Sequence, residues 1–243
     1  MIYKTRQGQV SAGEAIGILL LDTCVPFIPG DVANASTYSF PVRFQKVEGY
    51  TVARALNQDA TVFDDLLSAA KTLVQQGVRA ITGDCGFMGV HQQNLAQEMD
   101  VPVFLSSLIQ IPFISGMLGP QAKIGIITAD AKSVDTNLLQ AVGVADASGL
   151  VVAGLEDQPG FYEFAIEETG VLDTEAVEAE VVSMVRRMVS ENPQIRAILL
   201  ECSLLPPYGA AVQEAVTLPV FDYITMINFV FSAVVKQRFA GFI

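Results

Sequence analysis

Val78-Arg-Ala-Ile-Thr-Gly-Asp-Cys85 and Ile195-Arg-Ala-Ile-Leu-Leu-Glu-Cys202 are one pattern written twice. The echo extends to both sides. Upstream, Ile16-Gly-Ile-Leu-Leu-Leu-Asp22 returns as Ile124-Gly-Ile-Ile-Thr-Ala-Asp130; downstream, Val101-Pro-Val-Phe104 returns as Leu218-Pro-Val-Phe221. Matched segments in the same order at nearly constant spacing mark a tandem duplication.

Each repeated segment is a short aliphatic run bounded by turn or cap residues, the pattern of a strand buried in a parallel sheet. Second strands are expected at Arg43–Val47 and Leu150–Gly154. Amphipathic patterns predict long helices over Asp59–Gln76 and Asp173–Ser190. Gly77 serves the first as a C-cap, and Asp173-Thr-Glu places acidic groups at the start of the second, where they complement the helix dipole. Shorter helices fit His91–Met99, Ser106–Leu118, Ala131–Ala141, Tyr208–Ala215 and Thr225–Gln237. Strands and helices alternate in both halves, except that a loop replaces the first helix of half one. The expected fold is α/β: two pseudo-symmetric lobes, each a parallel sheet flanked by helices, with the site in the cleft between them.

Composition narrows the function. The chain has 243 residues, 51% hydrophobic and 16% charged, enough to bury a substantial core. A net charge of −12, without a basic run longer than Arg186–Arg187, argues against nucleic acid. Apolar runs such as Ile16–Leu21 and Ile227–Val235 fall short of the ~18–20 residues that span a membrane. No secretory signal is visible at Met1, so a cytoplasmic protein is the default expectation. The three cysteines, Cys24, Cys85 and Cys202, form neither a disulfide framework nor a zinc pattern, and one histidine does not build a typical zinc site. No Gly-x-Gly-x-x-Gly, phosphate loop or Cys-x-x-Cys appears. The apolar content is compatible with a homo-oligomeric interface or simply with two covered sheets.

Ligands of open parallel sheets bind beyond the carboxyl ends of the strands. Cys85 and Cys202 both sit there, at matched positions of the two halves. Packed about a pseudo-twofold axis, the lobes would bring both thiols to one cleft. A free thiol is only about 3% thiolate at pH 7, so backbone N–H groups after each cysteine are expected to lower its pKa. One thiolate as base opposite one thiol as acid makes a cofactor-free proton-transfer pair. A lone cysteine at a strand end is more often a small core residue; the repeated placement favours chemistry.

These residues carry a resemblance. The duplicated halves with one cysteine apiece resemble the aspartate/glutamate racemase superfamily. Within it, Gly83-Asp-Cys-Gly-Phe-Met88, Pro102-Val-Phe-Leu-Ser-Ser-Leu108, Glu156-Asp-Gln-Pro-Gly-Phe161, Glu201-Cys-Ser-Leu-Leu-Pro-Pro-Tyr208 and Leu218-Pro-Val-Phe-Asp222 are similar to the dimethylsulfoniopropionate lyase branch. The resemblance implies that the last strand of each half crosses to complete the other lobe, giving lobe one residues 1–103 plus 218–243 and lobe two residues 104–217. It implies no cofactor and a small-molecule carboxylate substrate. It makes Cys85 and Cys202 the catalytic pair and places Thr128 among substrate contacts. Amino-acid racemases of the superfamily carry Asn-Thr after the first cysteine and Thr-His after the second. This chain has Gly86-Phe87 and Ser203-Leu204, which counts against aspartate or glutamate as substrate.

Further candidates come from loops. Asp31, Asn34, Thr37 and Tyr38 lie in Pro29–Pro41, at the expected cleft mouth, and either line the pocket or fix the loop. Phe161, Tyr162 and Tyr208 offer aromatic faces to a sulfonium cation, or pack in the core. Strand alternation directs Asp84 and Glu201 away from the thiols, leaving them to fix neighbouring loops. His91 and Cys24 have no counterpart in the other half and are weaker candidates. Three functions remain open: a lyase expelling a β leaving group, a racemase or isomerase using both thiols on one carbon, and a two-lobed binding protein without catalysis.

Overall fold

The computed structural model of the chain describes residues 2–5 and 7–243. Sheet one holds β1 (Ile16–Leu20), β2 (Val42–Lys46), β3 (Ala80–Gly83) and β4 (Val103–Phe104) in the order β2-β1-β3-β4. Sheet two holds β5 (Lys123–Thr128), β6 (Leu150–Gly154), β7 (Ile195–Leu200) and β8 (Val220–Phe221) in the order β6-β5-β7-β8. All pairings are parallel, and the register repeats: Ile16 faces Val42 as Ile124 faces Leu150. The duplication read in the sequence is thus a duplication of topology.

Around the sheets lie α1 (Val52–Leu56), α2 (Phe63–Gln75), α3 (Gln92–Glu98), α4 (Ile111–Met117), α5 (Thr136–Ala141), α6 (Pro159–Ala165), α7 (Thr174–Glu191), α8 (Gly209–Val216) and α9 (Tyr223–Val234). The long predicted helices are α2 and α7. Asp173 accepts from the N–H groups of Glu175 and Ala176, the acidic cap expected there. The central strands carry glycine where these helices cross. A Cβ on Gly17 would lie 2.9 Å from Leu73, and one on Gly125 would lie 2.7 Å from Met188. Bare strand surface lets α2 and α7 seat their apolar faces directly on the sheets, where each buried Leu or Met contributes ~1.5–3 kcal/mol. No helix among the described residues is long and apolar enough to cross a membrane.

One expectation is corrected. The last strand of each half is not exchanged: β4 pairs with β3, and β8 with β7. The helix after it crosses instead. Tyr223, Met226 and Ile227 of α9 pack on Ile16, Ile18, Ala80 and Phe104 of sheet one, while α4 packs on β5 of sheet two. A two-residue edge strand reaches its neighbour by a short crossover, whereas the apolar helix beyond it must find an uncovered sheet face. The short helices α1 and α6 were also not predicted; α6 opens on Pro159, a residue suited to the first helical turn.

Candidate active site

β3 and β7 end at Gly83 and Leu200, and both chains then turn toward the space between the sheets. Cys85 caps a 3-10 turn over Gly86–His91, and Cys202 enters the turn leading to α8. Both half-buried cysteines line one cavity between the halves. Its other walls come from Leu21, Thr23, Val25 and Phe27 after β1, Val52 and Leu56 of α1, and Ala129 after β5. Ala165 and Ile166 at the end of α6 and Gly86, Phe87, Ser203 and Leu204 beside the thiols complete it. The lining is mostly apolar, with Asp84 and Glu201 as its charged members.

Hydrogen bonds tie the two halves together around this space. Ser203 Oγ donates to the Asp84 carbonyl, and Ser107 Oγ lies 3.1 Å from the carbonyls of Leu200 and Glu201. Two residues in the left-handed backbone region reach across symmetrically. Glu168 (φ 58°), beyond α6, accepts from Thr23 Oγ1 and the Cys24 N–H; Gln58 (φ 50°), beyond α1, donates to the Ser133 carbonyl at 3.1 Å. A non-glycine residue at positive φ costs of order 1–3 kcal/mol. Each one anchors a cavity-lining helix to the opposite half.

Electrostatics of the thiols run against the expectation from backbone N–H groups. Burial pushes the Cys85 thiol up; the Glu201 and Asp84 charges add to this, and the N–H groups of Phe87 and Met88 oppose it without prevailing. Cys202 is likewise pushed up by burial and by Glu201, with Leu204 N–H opposing. The carboxyls are perturbed too. Burial raises Asp84 to about 7, although it accepts from Leu21 N–H at 2.9 Å. Burial also raises Glu201 to about 7, although Thr128 Oγ1 donates to its Oε2 at 2.8 Å. Asp31 rises to about 8 through burial, with the Asp84 charge adding.

Of the residues singled out in the sequence, the cavity brings together Cys85, Cys202, Gly86, Phe87 and Ser203. The others stand behind or beside it. Thr128 is fully buried and positions Glu201. Asp31, Asn34, Thr37 and Tyr38 fix their own loop: Asp31 accepts from Ala33 N–H, Asn34 donates to the Phe27 carbonyl, Thr37 to that of Asp31 and Tyr38 to that of Val32. Phe161 stacks edge-on with Phe164 in the core, and Tyr208 is buried. The aromatic rings in the cavity are Phe27 and Phe87 instead. His91 is enclosed by the rings of Tyr50 and Phe63, and Cys24 is exposed. Asp84 fixes the neighbouring Leu21 segment as expected, but Asp84 and Glu201 also line the cavity, which strand alternation did not indicate. Each lies one position past the last ladder residue, where alternation no longer dictates direction.

Gly86 is required by this arrangement. A Cβ there would overlap the Glu201 carboxyl and lie 2.9 Å from the Glu201 backbone carbonyl. Gly86→Ala is expected to destabilise the fold by ~1–3 kcal/mol and lower the melting temperature by ~3–10 °C. An unchanged thermal transition would show that the Glu201 carboxyl is not held against residue 86.

Comparison with known proteins places the chain. No family model matches it. A dimethylsulfoniopropionate lyase of Durusdinium sp. clade D is 31% identical over 222 residues, covering 88% of this chain and 73% of that protein. The chain belongs to the dimethylsulfoniopropionate lyase family. Dimethylsulfoniopropionate lyase 3 of Emiliania huxleyi (strain CCMP1516) is 34% identical over 226 residues, but the chain spans only 58% of its length. Among solved structures, allantoin racemase from Pseudomonas fluorescens superposes with a TM-score of 0.59 at 14% identity, covering 94% of this chain and 99% of that one. This chain thus shares the fold of that racemase.

Proposed function

We propose that this member of the lyase family is a cofactor-free enzyme in which Cys85 and Cys202 act as base and acid on a small carboxylate. The most fitting reaction is elimination from dimethylsulfoniopropionate. A thiolate takes a proton from the carbon next to the carboxylate, the electron pair forms the carbon–carbon double bond, and the bond to sulfur breaks. The products are acrylate, neutral dimethyl sulfide and a proton now on the cysteine. The observation that carries this reading is the meeting of both thiols in one apolar cavity. A substrate filling this apolar space displaces water, so charge developing on it interacts strongly with fixed dipoles. The N–H groups of Phe87 and Met88 are directed at Cys85 and favour its thiolate.

Thiols contributed by both halves also favour a second reading, a racemase in which each acts on one face of a carbon. Proton NMR in D2O separates the two. With dimethylsulfoniopropionate the lyase reading expects vinyl signals of acrylate, absent with Cys85→Ala. Loss of an α-proton signal from another carboxylic or amino acid without vinyl peaks would replace the lyase by a racemase.

A further inference from the structure

We infer that Glu201, with Asp84 in the same cavity lining, is the seat for a positive charge carried by the ligand. The inference rests on the cavity being the substrate site and assigns the residues that select the substrate. Among the described residues the buried carboxyls are Asp31, Asp84, Glu201 and Asp222, and no Lys or Arg is buried. The ion pairs use Glu14, Asp22, Glu48 and Asp59, none of these four. Carboxyls in a dry interior without a countercharge are costly, so they stay protonated or meet a cation from elsewhere.

Hydrogen bonding accounts for only part of this cluster. Asp84 is held by Leu21 N–H, and one Glu201 oxygen by Thr128. The other oxygen, Glu201 Oε1, is buried with no partner. It lies over the bare backbone of Gly86, next to the first thiol, in a residue that lines the cavity. Among the described residues no basic side chain lines the same space. A simple anion would therefore meet only like charge, whereas a zwitterion with an onium group supplies what is missing. The methyl groups of an onium centre also suit apolar walls that include Phe27 and Phe87. Such a cation would offset the repulsion that Glu201 exerts on both thiolates and Asp84 on that of Cys85, coupling ligand charge to formation of the base.

The test compares two acids of matched shape, the permanent cation 3-(trimethylammonio)propanoate and the neutral 4,4-dimethylpentanoate, by calorimetric binding to the intact chain. The cation is expected to bind about tenfold or more tighter, and Glu201→Gln to reduce the preference to about twofold or less. Equal binding of the two acids by the unmodified protein overturns the inference, whatever the variant does. A preference that survives in a folded Glu201→Gln also overturns it. Binding needs no turnover, so the lyase reading fails separately. An onium preference without acrylate formation sinks only the lyase, and acrylate formation without an onium preference sinks only the charge seat.

Discussion

Alanine at Cys85 is expected to lower turnover about 10²- to 10⁴-fold, the range lost with a general base. Cys202→Ala is expected to cost less. The asymmetry follows from the backbone donors: Phe87 and Met88 N–H both favour the Cys85 thiolate, whereas Leu204 N–H alone serves Cys202. In the proposed mechanism Cys85 is therefore the base and Cys202 the acid or positioning group. Because the two act as a unit, the double variant should be little worse than Cys85→Ala. Steady-state rates of the three variants, with binding of a nonreactive analogue as a control for folding, decide the matter. Equal losses for both single variants would instead fit a reaction in which each thiol works on its own face of one carbon. Cys202→Ala being the more damaging would reverse the assignment.

The second large effect is on stability. Burial raises Asp84 and Glu201 to about 7 and Asp31 to about 8, all above the values such groups have in an unfolded chain. Between about pH 4 and 8 the folded protein therefore holds protons that the unfolded chain has released. Stability from these groups is present at the acid end of that window and lost as pH rises through the folded values. His91, whose pKa burial lowers, has the opposite sign. With these three carboxyls and Asp222, also raised by burial, against one imidazole, the melting temperature of the unliganded protein is expected to fall by on the order of 10 °C between pH 5 and 8. Glu201→Gln should flatten that slope. A melting temperature that is level or rises across the window would mean that these carboxyls are ionised and compensated in the free protein.

Much of the architecture was legible because the duplication shows in residues that must be buried. The strand runs before Cys85 and Cys202 are aliphatic since both faces of each sheet are covered, and the long helices announce themselves through Leu66, Leu73, Val181 and Val185. Helices α1 and α6, at 5 and 7 residues, were not legible. Helices so short are marginal on their own and persist here through packing and through the Gln58 and Glu168 contacts. The loop candidates Asp31, Asn34, Thr37 and Tyr38 had the right chemistry for a site. Their hydrogen-bonding capacity goes to their own backbone instead, a choice made by loop geometry.

By itself the sequence determined the duplicated α/β plan and the placement of one cysteine at the same strand end in each half. Both follow from hydrophobic periodicity and repetition, which are local and survive in one dimension. Only the tertiary structure decided that helices rather than strands are exchanged, that Asp84 and Glu201 line the cavity with the thiols, and that no buried cation among the described residues accompanies them. Those outcomes depend on which surfaces meet and how much water they exclude. Desolvation of a charge is a property of the assembled interior, and residue order along the chain does not encode it in any short pattern.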